Sequence, residues 1–242
     1  MTEGEGPRTG ADRSDDRPIR DAATVIALRR DGDGEPRVLM GRRGHKAAFM
    51  PGKFVFPGGA VDPEDAAVPL VRLPDARSMA RLARDAAAGL PEALVAAAIR
   101  ELWEETGQAL ALRTGEAPAS STAPARLSES WRSFFDAGFR PSGAGMEFVF
   151  RAITPPGRPR RFDARFFTVD ATAFATDPDD FSRASGELGH LQWIPLSEVR
   201  RFDLPFITRV VLAEIHERLE NGTDMGVPFF RTIDGLSWVS RL

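Results

Sequence analysis

The sequence predicts an α/β protein in which a mixed β-sheet lies between helices. Short β-prone stretches alternate along the chain with segments whose apolar residues recur at helical spacing, a pattern typical of this class. The best-marked element is a helix from Pro91 to the residue before Gly107, because proline suits the first helical position and glycine suits a left-handed cap. Leu94, Ala98 and Leu102 belong to its apolar stripe, which we expect to be buried.

The other elements follow from composition. Runs of β-branched and aromatic residues bounded by Gly, Pro and Asp predict strands, and amphipathic or Ala-rich segments predict helices. The predicted strands cover residues 22–27, 37–40, 53–56, 146–154, 164–171, 190–196 and 227–233. Three further helices are predicted, one within 66–90 that ends at Gly89, one within 125–139 and one over 204–219.

Composition sets the organisation and excludes several classes of function. Residues 1–20 are charged and poor in large apolar side chains, which predicts a disordered tail before one domain over 21–242 with a peripheral insertion at about 66–90. The net charge of −3 provides no basic field for nucleic acid. The chain has no cysteine, which excludes thiolate zinc sites and a cysteine nucleophile. The absence of cysteine also fits a reducing, cytoplasmic compartment, and no apolar run approaches the ~20 residues of a membrane span.

The segment that carries chemistry is Arg100-Glu101-Leu102-Trp103-Glu104-Glu105-Thr106-Gly107. On a helix Glu101 and Glu105 share a face and Glu104 lies beside them, so three carboxylates converge. Mg²⁺ prefers such oxygen ligands, so the patch is a candidate metal site. The alternative interpretation is an ordinary acidic helix face in contact with solvent. The pair Gly58–Gly59 favours a site, because glycines after a strand let the backbone approach a ligand closely.

Together these residues resemble the Nudix box, which is Gly, five residues, Glu, seven residues and then Arg-Glu-aliphatic-X-Glu-Glu-X-Gly-aliphatic. The resemblance implies a Nudix α/β/α sandwich and Mg²⁺ or Mn²⁺ as cofactor. It also implies Glu101, Glu104, Glu105 and the Gly59 carbonyl as metal ligands. Glu187, in a Gly-rich loop, corresponds to a loop carboxylate that serves as a ligand or base in many Nudix enzymes. The general base remains open among Glu101, Glu104 and Glu187.

The chain departs from this pattern in three places. Asp65 stands where the family has the first Glu, and Glu64 precedes it, so which of the two takes that role is open. Residues 66–99 replace the seven-residue spacer, and Gln108 replaces the final aliphatic residue. The long spacer is compatible with the motif, since it joins a loop to a helix and a surface insertion costs little closure entropy.

The segments around the box resemble peroxisomal coenzyme A diphosphatases, notably LMGRRGHKAAFMPGKFVFPGGAVDPED and PRRFDARFF. The resemblance implies a nucleoside diphosphate derivative as substrate, with coenzyme A or an acyl-CoA as the leading choice. Guanidinium groups suit phosphate oxygens, and the candidate phosphate contacts are Arg42, Arg43, Arg160, Arg161 and Arg165. Two rivals are a non-catalytic Nudix-fold nucleotide-binding module, which usually lacks box carboxylates, and an isomerase. A homodimer remains open.

Overall fold

The computed structural model describes residues 18–32, 34–44, 50–116, 123–124, 126–222 and 226–242. The strands within these residues are β1 Ile19–Arg29, β2 Arg37–Arg43, β3 Phe54–Val55, β4 Gly58–Ala60, β5 Ala111–Arg113, β6 Phe139–Pro141, β7 Glu147–Ile153, β8 Arg161–Asp170, β9 Leu188–Pro195, β10 Pro228–Ile233 and β11 Leu236–Arg241. The α-helices are α1 Ala76–Leu82, α2 Leu90–Thr106, α3 Glu129–Asp136 and α4 Phe206–Asn221. None of the described helices is long and apolar enough to cross a membrane.

The main sheet is mixed, as the sequence predicts. Its backbone order is β11-β10-β7-β8-β1-β2-β3, with β4 paired to β1 and β9 paired to β2. The central strands β1 and β8 run parallel, and β10 is parallel to β7. The other pairs in this sheet are antiparallel, and β5 with β6 forms a separate hairpin.

Helices cover both faces of the sheet, which gives an α/β/α sandwich. On one face α2 and α3 bury a cluster that includes Ile99, Trp131 and Phe167. On the other face α4 packs Val211 and Ile215 into a second cluster. Side chains of one strand alternate between the two faces, which explains how β8 serves both clusters. The predicted α/β class with a mixed sheet between helices is therefore confirmed.

The local signals place the helices with small corrections. Helix α2 ends before Gly107, which has φ +76° and acts as the expected left-handed cap. Gly89, expected to end the preceding helix, instead precedes α2 at φ +78°, and α1 already ends at Leu82. The strands β4, β5, β6 and β11 were not predicted. Strand β4 contains the two glycines that the sequence indicates as loop, because pairing with β1 overrides their weak strand propensity.

The insertion within 66–90 is less peripheral than the sequence suggests. Leu82 is buried in the α2 cluster, and Ser78 Oγ accepts a hydrogen bond of 3.1 Å from the Phe148 amide of β7. The Val71 amide donates to the carbonyl of Pro141 at 2.8 Å. Trimming this segment would therefore expose part of the core. Of the predicted tail, residues 19–20 belong to β1, while residues 1–17 lie outside the described residues.

Candidate active site

The two glycines of β4 bring backbone directly against helix α2. A Cβ at Gly59 would lie 2.5 Å from the carboxyl carbon of Glu101 and 2.6 Å from its Oε2. A Cβ at Gly58 would lie 2.5 Å from the carbonyl oxygen of Ala23 on β1. Real Cβ atoms do not approach so closely, so Gly58, which meets backbone at φ +156°, requires glycine, and a Cβ at Gly59 would displace the Glu101 carboxylate. The pair thus lets a sheet edge and a carboxylate helix share one small region.

Glu105 is the most deeply buried carboxylate of this region. Its Oε2 accepts a hydrogen bond of 2.8 Å from the Gly58 amide. Burial raises its pKa well above the ordinary glutamate value, and the charge of Glu101 adds to the rise, against the Gly58 hydrogen bond and Arg43. An ionised Glu105 therefore calls for a nearby cation.

Glu101 lies against Gly59 and accepts a hydrogen bond of 2.8 Å from Arg100 Nη1. Burial raises the pKa of Glu101 to about 7, although the Arg100 charge and hydrogen bond oppose this. The charges of Glu104 and Glu187 add to the rise. The helix thus presents a second carboxylate that is ionised only at some cost near neutral pH.

Glu104 lies at the more exposed edge of the patch, where its Oε2 accepts a hydrogen bond of 2.7 Å from Ser130 Oγ of α3. The three helix carboxylates thus turn toward different partners, and among the described residues no group of three acidic or histidine side chains is already arranged around one point. The hydrogen bonds given above use one oxygen of each carboxylate. Glu101 Oε2, Glu104 Oε1 and Glu105 Oε1 accept none of these hydrogen bonds, and carboxylate oxygens are the ligand chemistry that a divalent cation such as Mg²⁺ prefers.

Asp65 anchors the arginine of the motif. It is buried and accepts hydrogen bonds of 2.9 and 3.0 Å from Arg100 Nε and Nη2, and one of 2.8 Å from Trp131 Nε1. Glu64 instead accepts a hydrogen bond of 2.6 Å from the amide of Ser128, the N-cap of α3. Asp65, not Glu64, is thus the residue that contacts the helix motif, and it orients Arg100.

Arg43 reaches the carboxylates from β2. Its Nη1 donates to Glu187 Oε1 at 3.1 Å, its Nη2 donates to the Gly58 carbonyl at 3.4 Å, and Nη2 lies 3.8 Å from Glu105 Oε1. Glu187 itself is largely exposed and precedes β9. The structure therefore brings Glu187 to the helix carboxylates through Arg43. Sequence reasoning assigned Arg43 to a phosphate and missed this role, which depends on strand pairing.

Arg42, the neighbour of Arg43 on β2, has its Nη2 2.7 Å from Nε2 of His190. His190 and Leu191 stand opposite the single residue Gly41 in a β-bulge of the β2–β9 pair. His190 adopts φ +51°, which is uncommon for a residue other than glycine. A bulge commonly re-aims a side chain next to a functional site, and here it turns His190 toward Arg42.

The other three candidate phosphate contacts do not join this region. The Arg165 side chain is only 2% exposed and pairs with Asp21 and Asp163, so a phosphate has no access to it. Arg161 pairs in register with Ile19, five residues along β1 from Thr24, the partner of Gly58. Five residues of strand span about 17 Å. Arg160 is exposed and precedes Arg161, so it lies at the same distant end of β8.

Two comparisons with known proteins bear on this arrangement. The chain is 28% identical over 167 residues to nudix hydrolase 7 of Caenorhabditis elegans, which covers 67% of this chain. It spans only 48% of that curated relative. The crystal structure of a NUDIX hydrolase from Alicyclobacillus acidocaldarius superposes with a TM-score of 0.61 at 28% identity, covering 82% of this chain and 91% of that one.

No family model matches the chain. The fold nevertheless agrees with that of the Alicyclobacillus structure over most of both chains. The glycine pair and the carboxylate helix, the two halves of the box, lie in contact despite the 34-residue segment 66–99 between them. The fold, this contact and both comparisons support the assignment of the chain to the Nudix hydrolase superfamily.

Proposed function

We propose that this protein is a hydrolase that uses Mg²⁺ or Mn²⁺ to cleave the diphosphate linkage of a nucleoside diphosphate derivative. The observation that carries the proposal is the contact between the Gly58–Gly59 backbone and the carboxylates of Glu101 and Glu105. Glu104 completes an oxygen donor set on the same helix, and the Gly59 carbonyl is the proposed fourth ligand. Relatives named as Nudix hydrolases support the reaction class.

The chain's own residues divide the work. Glu101, Glu104 and Glu105 would hold the cations, which would neutralise charge on the diphosphate and make water more acidic. The candidates for the carboxylate that removes the proton of the attacking water are Glu101, Glu104 and Glu187. Arg43 keeps Glu187 close to the helix, and Arg100 fixes the orientation of Glu101. No side-chain nucleophile is needed, in keeping with the absence of cysteine.

Coenzyme A or an acyl-CoA is the first substrate to assay. The choice rests on the resemblance of the segments around the box, and Arg42 is the candidate contact for the additional 3′-phosphate. Arg42 neighbours Arg43 on β2, and its guanidinium lies beside His190. If Arg42 binds that phosphate, Arg42→Ala raises KM for coenzyme A far more than KM for dephospho-coenzyme A. An equal rise for both would place Arg42 on the diphosphate instead.

The reaction class is tested with a panel of diphosphates and Mg²⁺ or Mn²⁺, comprising coenzyme A, acyl-CoA, NADH, ADP-ribose, ADP-sugars and diadenosine polyphosphates. We expect Glu104→Gln and Glu105→Gln each to lower kcat by about 10²–10⁴-fold, the size of a lost metal or acid–base group. Glu92→Gln is the matched control, since Glu92 is exposed on the first turn of the same helix. Near-normal turnover in EDTA would reject the proposal.

One observation favours the rival function of a non-catalytic nucleotide-binding module. Arg43 already supplies a positive charge 3.1 Å from Glu187 and 3.8 Å from Glu105, where a cation would otherwise be needed. The two functions differ in metal binding. Electron paramagnetic resonance measures this binding in the absence of substrate turnover, because the signal of free Mn²⁺ falls as the protein takes up the ion. A protein that binds one panel member tightly, cleaves none and does not take up Mn²⁺ would be the module.

A further inference from the structure

Strand β11 is an unprotected edge of the main sheet. It forms six regular pairs with β10 from Leu236 to Arg241 and no strand pairs with its other side among the described residues. Its sequence LSWVSR contains no proline and no lysine, and its ladder has no bulge. Proline, lysine and bulges are among the features by which monomeric proteins discourage pairing at a sheet edge. The outer side of this strand therefore fits another β-strand.

The same edge carries most of the exposed apolar surface. The described residues contain eight large hydrophobic side chains that are exposed, and five of them lie here, namely Phe206, Ile233, Leu236, Trp238 and Val239. Leu236, Trp238 and Val239 are 65%, 55% and 62% exposed. Contiguous apolar patches on a folded protein mark interaction sites, whereas scattered ones do not.

The patch occupies both faces of the hairpin. Trp238 pairs with Arg231, and Leu236 pairs with Ile233, so these side chains share one face. Val239 pairs with Phe230, on which Phe206 packs with ring centroids 6.0 Å apart, so they share the other face. Apolar side chains on both faces are the pattern of a strand inside a sheet, where each face is covered. The edge therefore reads as an interior strand that lacks one neighbour.

The turn of the hairpin determines which backbone groups face outward. Asp234 and Gly235 have φ +50° and +77°, the two positive values of a type I′ turn. Such a turn closes on a hydrogen-bonded pair, here Ile233 and Leu236. Because the direction alternates along an antiparallel strand, Ser237 and Val239 direct their N–H and C=O groups away from β10.

We propose that β11 pairs antiparallel with β11 of a second copy of this chain, so that the two sheets become continuous. When two identical antiparallel strands are related by a two-fold axis, the numbers of every two opposite residues add to the same sum. Opposite side chains lie on the same face of the sheet, so both numbers are odd or both are even, and the sum is even. A sum of 476 places Trp238 opposite Trp238 of the second copy. Ser237 then stands opposite Val239, and their outward backbone groups form the hydrogen-bonded pair.

This register is self-complementary. Trp238 and its mate form a non-hydrogen-bonded pair, in which side chains approach most closely and aromatic pairs are favourable. Leu236 stands opposite Ser240, and these pairs bring no like charges face to face. Trp238 and Phe206 each expose more than half of their surface, on the order of 200–300 Å² together in each copy, against the about 800 Å² per partner of a specific interface. Leu236, Val239 and the strand backbone add to the area that is available.

The absence of cysteine makes the register directly testable. In Trp238→Cys the single thiol faces its own mate at a Cα separation of about 4.5 Å, within the range that a disulfide bridges. Ser240→Cys is the matched control on the same face of the same strand. Its mate is displaced by four residues, about 13 Å, which a disulfide does not span. We expect mild oxidation to link Trp238→Cys into dimers and to leave Ser240→Cys unlinked.

A charge-exchange experiment tests the same pairing without oxidation. Sedimentation of the unmodified chain is expected to show a monomer–dimer equilibrium, and Trp238→Lys and Trp238→Glu each to weaken it at least about tenfold, the effect of losing an interface centre. Mixing the two variants restores dimers, because lysine then faces glutamate. Leu73→Lys, an exposed apolar position elsewhere, should leave the equilibrium unchanged.

Three outcomes would overturn the proposal. The unmodified chain could remain monomeric up to about 100 µM, far above the dissociation constants of specific interfaces of standard size. The Trp238→Cys and Ser240→Cys variants could oxidise at equal rates, which would indicate random collision. A dimer that persists in Trp238→Lys and Trp238→Glu would use another surface. None of these results depends on the proposed hydrolase activity, so the two proposals fail separately.

Discussion

Replacing Asp65 with alanine tests how the carboxylate helix is held in position. Asp65 is buried and accepts four hydrogen bonds of 2.8–3.0 Å, two from Arg100, one from Trp131 and one from the amide of Asp62. Removing one partner of a buried ion pair costs about 3–5 kcal/mol, since the other charge stays buried. Arg100 retains Glu101 and the Ala60 carbonyl, so we expect the lower end, about 3 kcal/mol.

The free energy of unfolding is measured by urea denaturation followed by far-ultraviolet circular dichroism. Asp203→Ala is the control, because Asp203 forms an exposed ion pair with Lys53, and such pairs contribute about 0–1 kcal/mol. A loss below 1 kcal/mol in Asp65→Ala would refute the reasoning. It would mean that water or other side chains satisfy Arg100, and that Asp65 does not hold the motif in place.

Two further predictions concern Gly59 and Asp75. Gly59→Ala displaces the Glu101 carboxylate and is expected to weaken Mn²⁺ binding at least about tenfold, while Gly115→Ala, with open space at its Cβ, leaves it unchanged in the same resonance titration. Asp75 caps α1 through bonds from the Arg77 and Ser78 amides, and Asp75→Ala is expected to cost about 1 kcal/mol at pH 7. Partial burial opposes its ionisation, but the hydrogen bonds from Ser78 and Arg77 prevail and lower its pKa. The stabilisation is therefore complete above the ordinary aspartate pKa and disappears as the pH falls through the lower folded value, so denaturation curves of variant and parent should converge in acid. A difference that persists unchanged at low pH would contradict this linkage.

The helix that carries the carboxylates could be predicted because its signals are local. Pro91 and Gly107 mark its ends, and the spacing of Glu101, Glu104 and Glu105 alone places them on one patch. Their partners could not be predicted. Arg43 comes from β2 and Asp65 from the turn after β4, and strand pairing and the packing of α2 on the sheet decide which of them meet the helix.

The arginines show a different limit of sequence reasoning. All five candidates look equivalent as charges, yet Arg43 contacts the carboxylate of Glu187 while Arg165 is buried. Side chains alternate between the two faces of β8, and Arg165 lies on the same face as the buried Phe167. The burial of Arg165 could therefore have been predicted from the sequence. Its partner Asp163 also binds Arg151 of β7. That contact depends on the register of the antiparallel β7–β8 pair, which the sequence alone does not determine.

The charges around the helix determine the order in which ligands can bind. Among the described residues, the ion pairs of the carboxylates Glu101, Glu104, Glu105 and Glu187 are with Arg43 and Arg100, and Asp65 already neutralises much of Arg100. Burial is the main cause of the raised pKa values of Glu101 and Glu105, and the charges of neighbouring carboxylates add to the rise. A diphosphate brings further negative charge to this region, so it binds unfavourably while the carboxylates are ionised and uncompensated. Under the proposed function, cations must therefore bind before the diphosphate or together with it, and the affinity for a diphosphate should rise with the Mg²⁺ concentration.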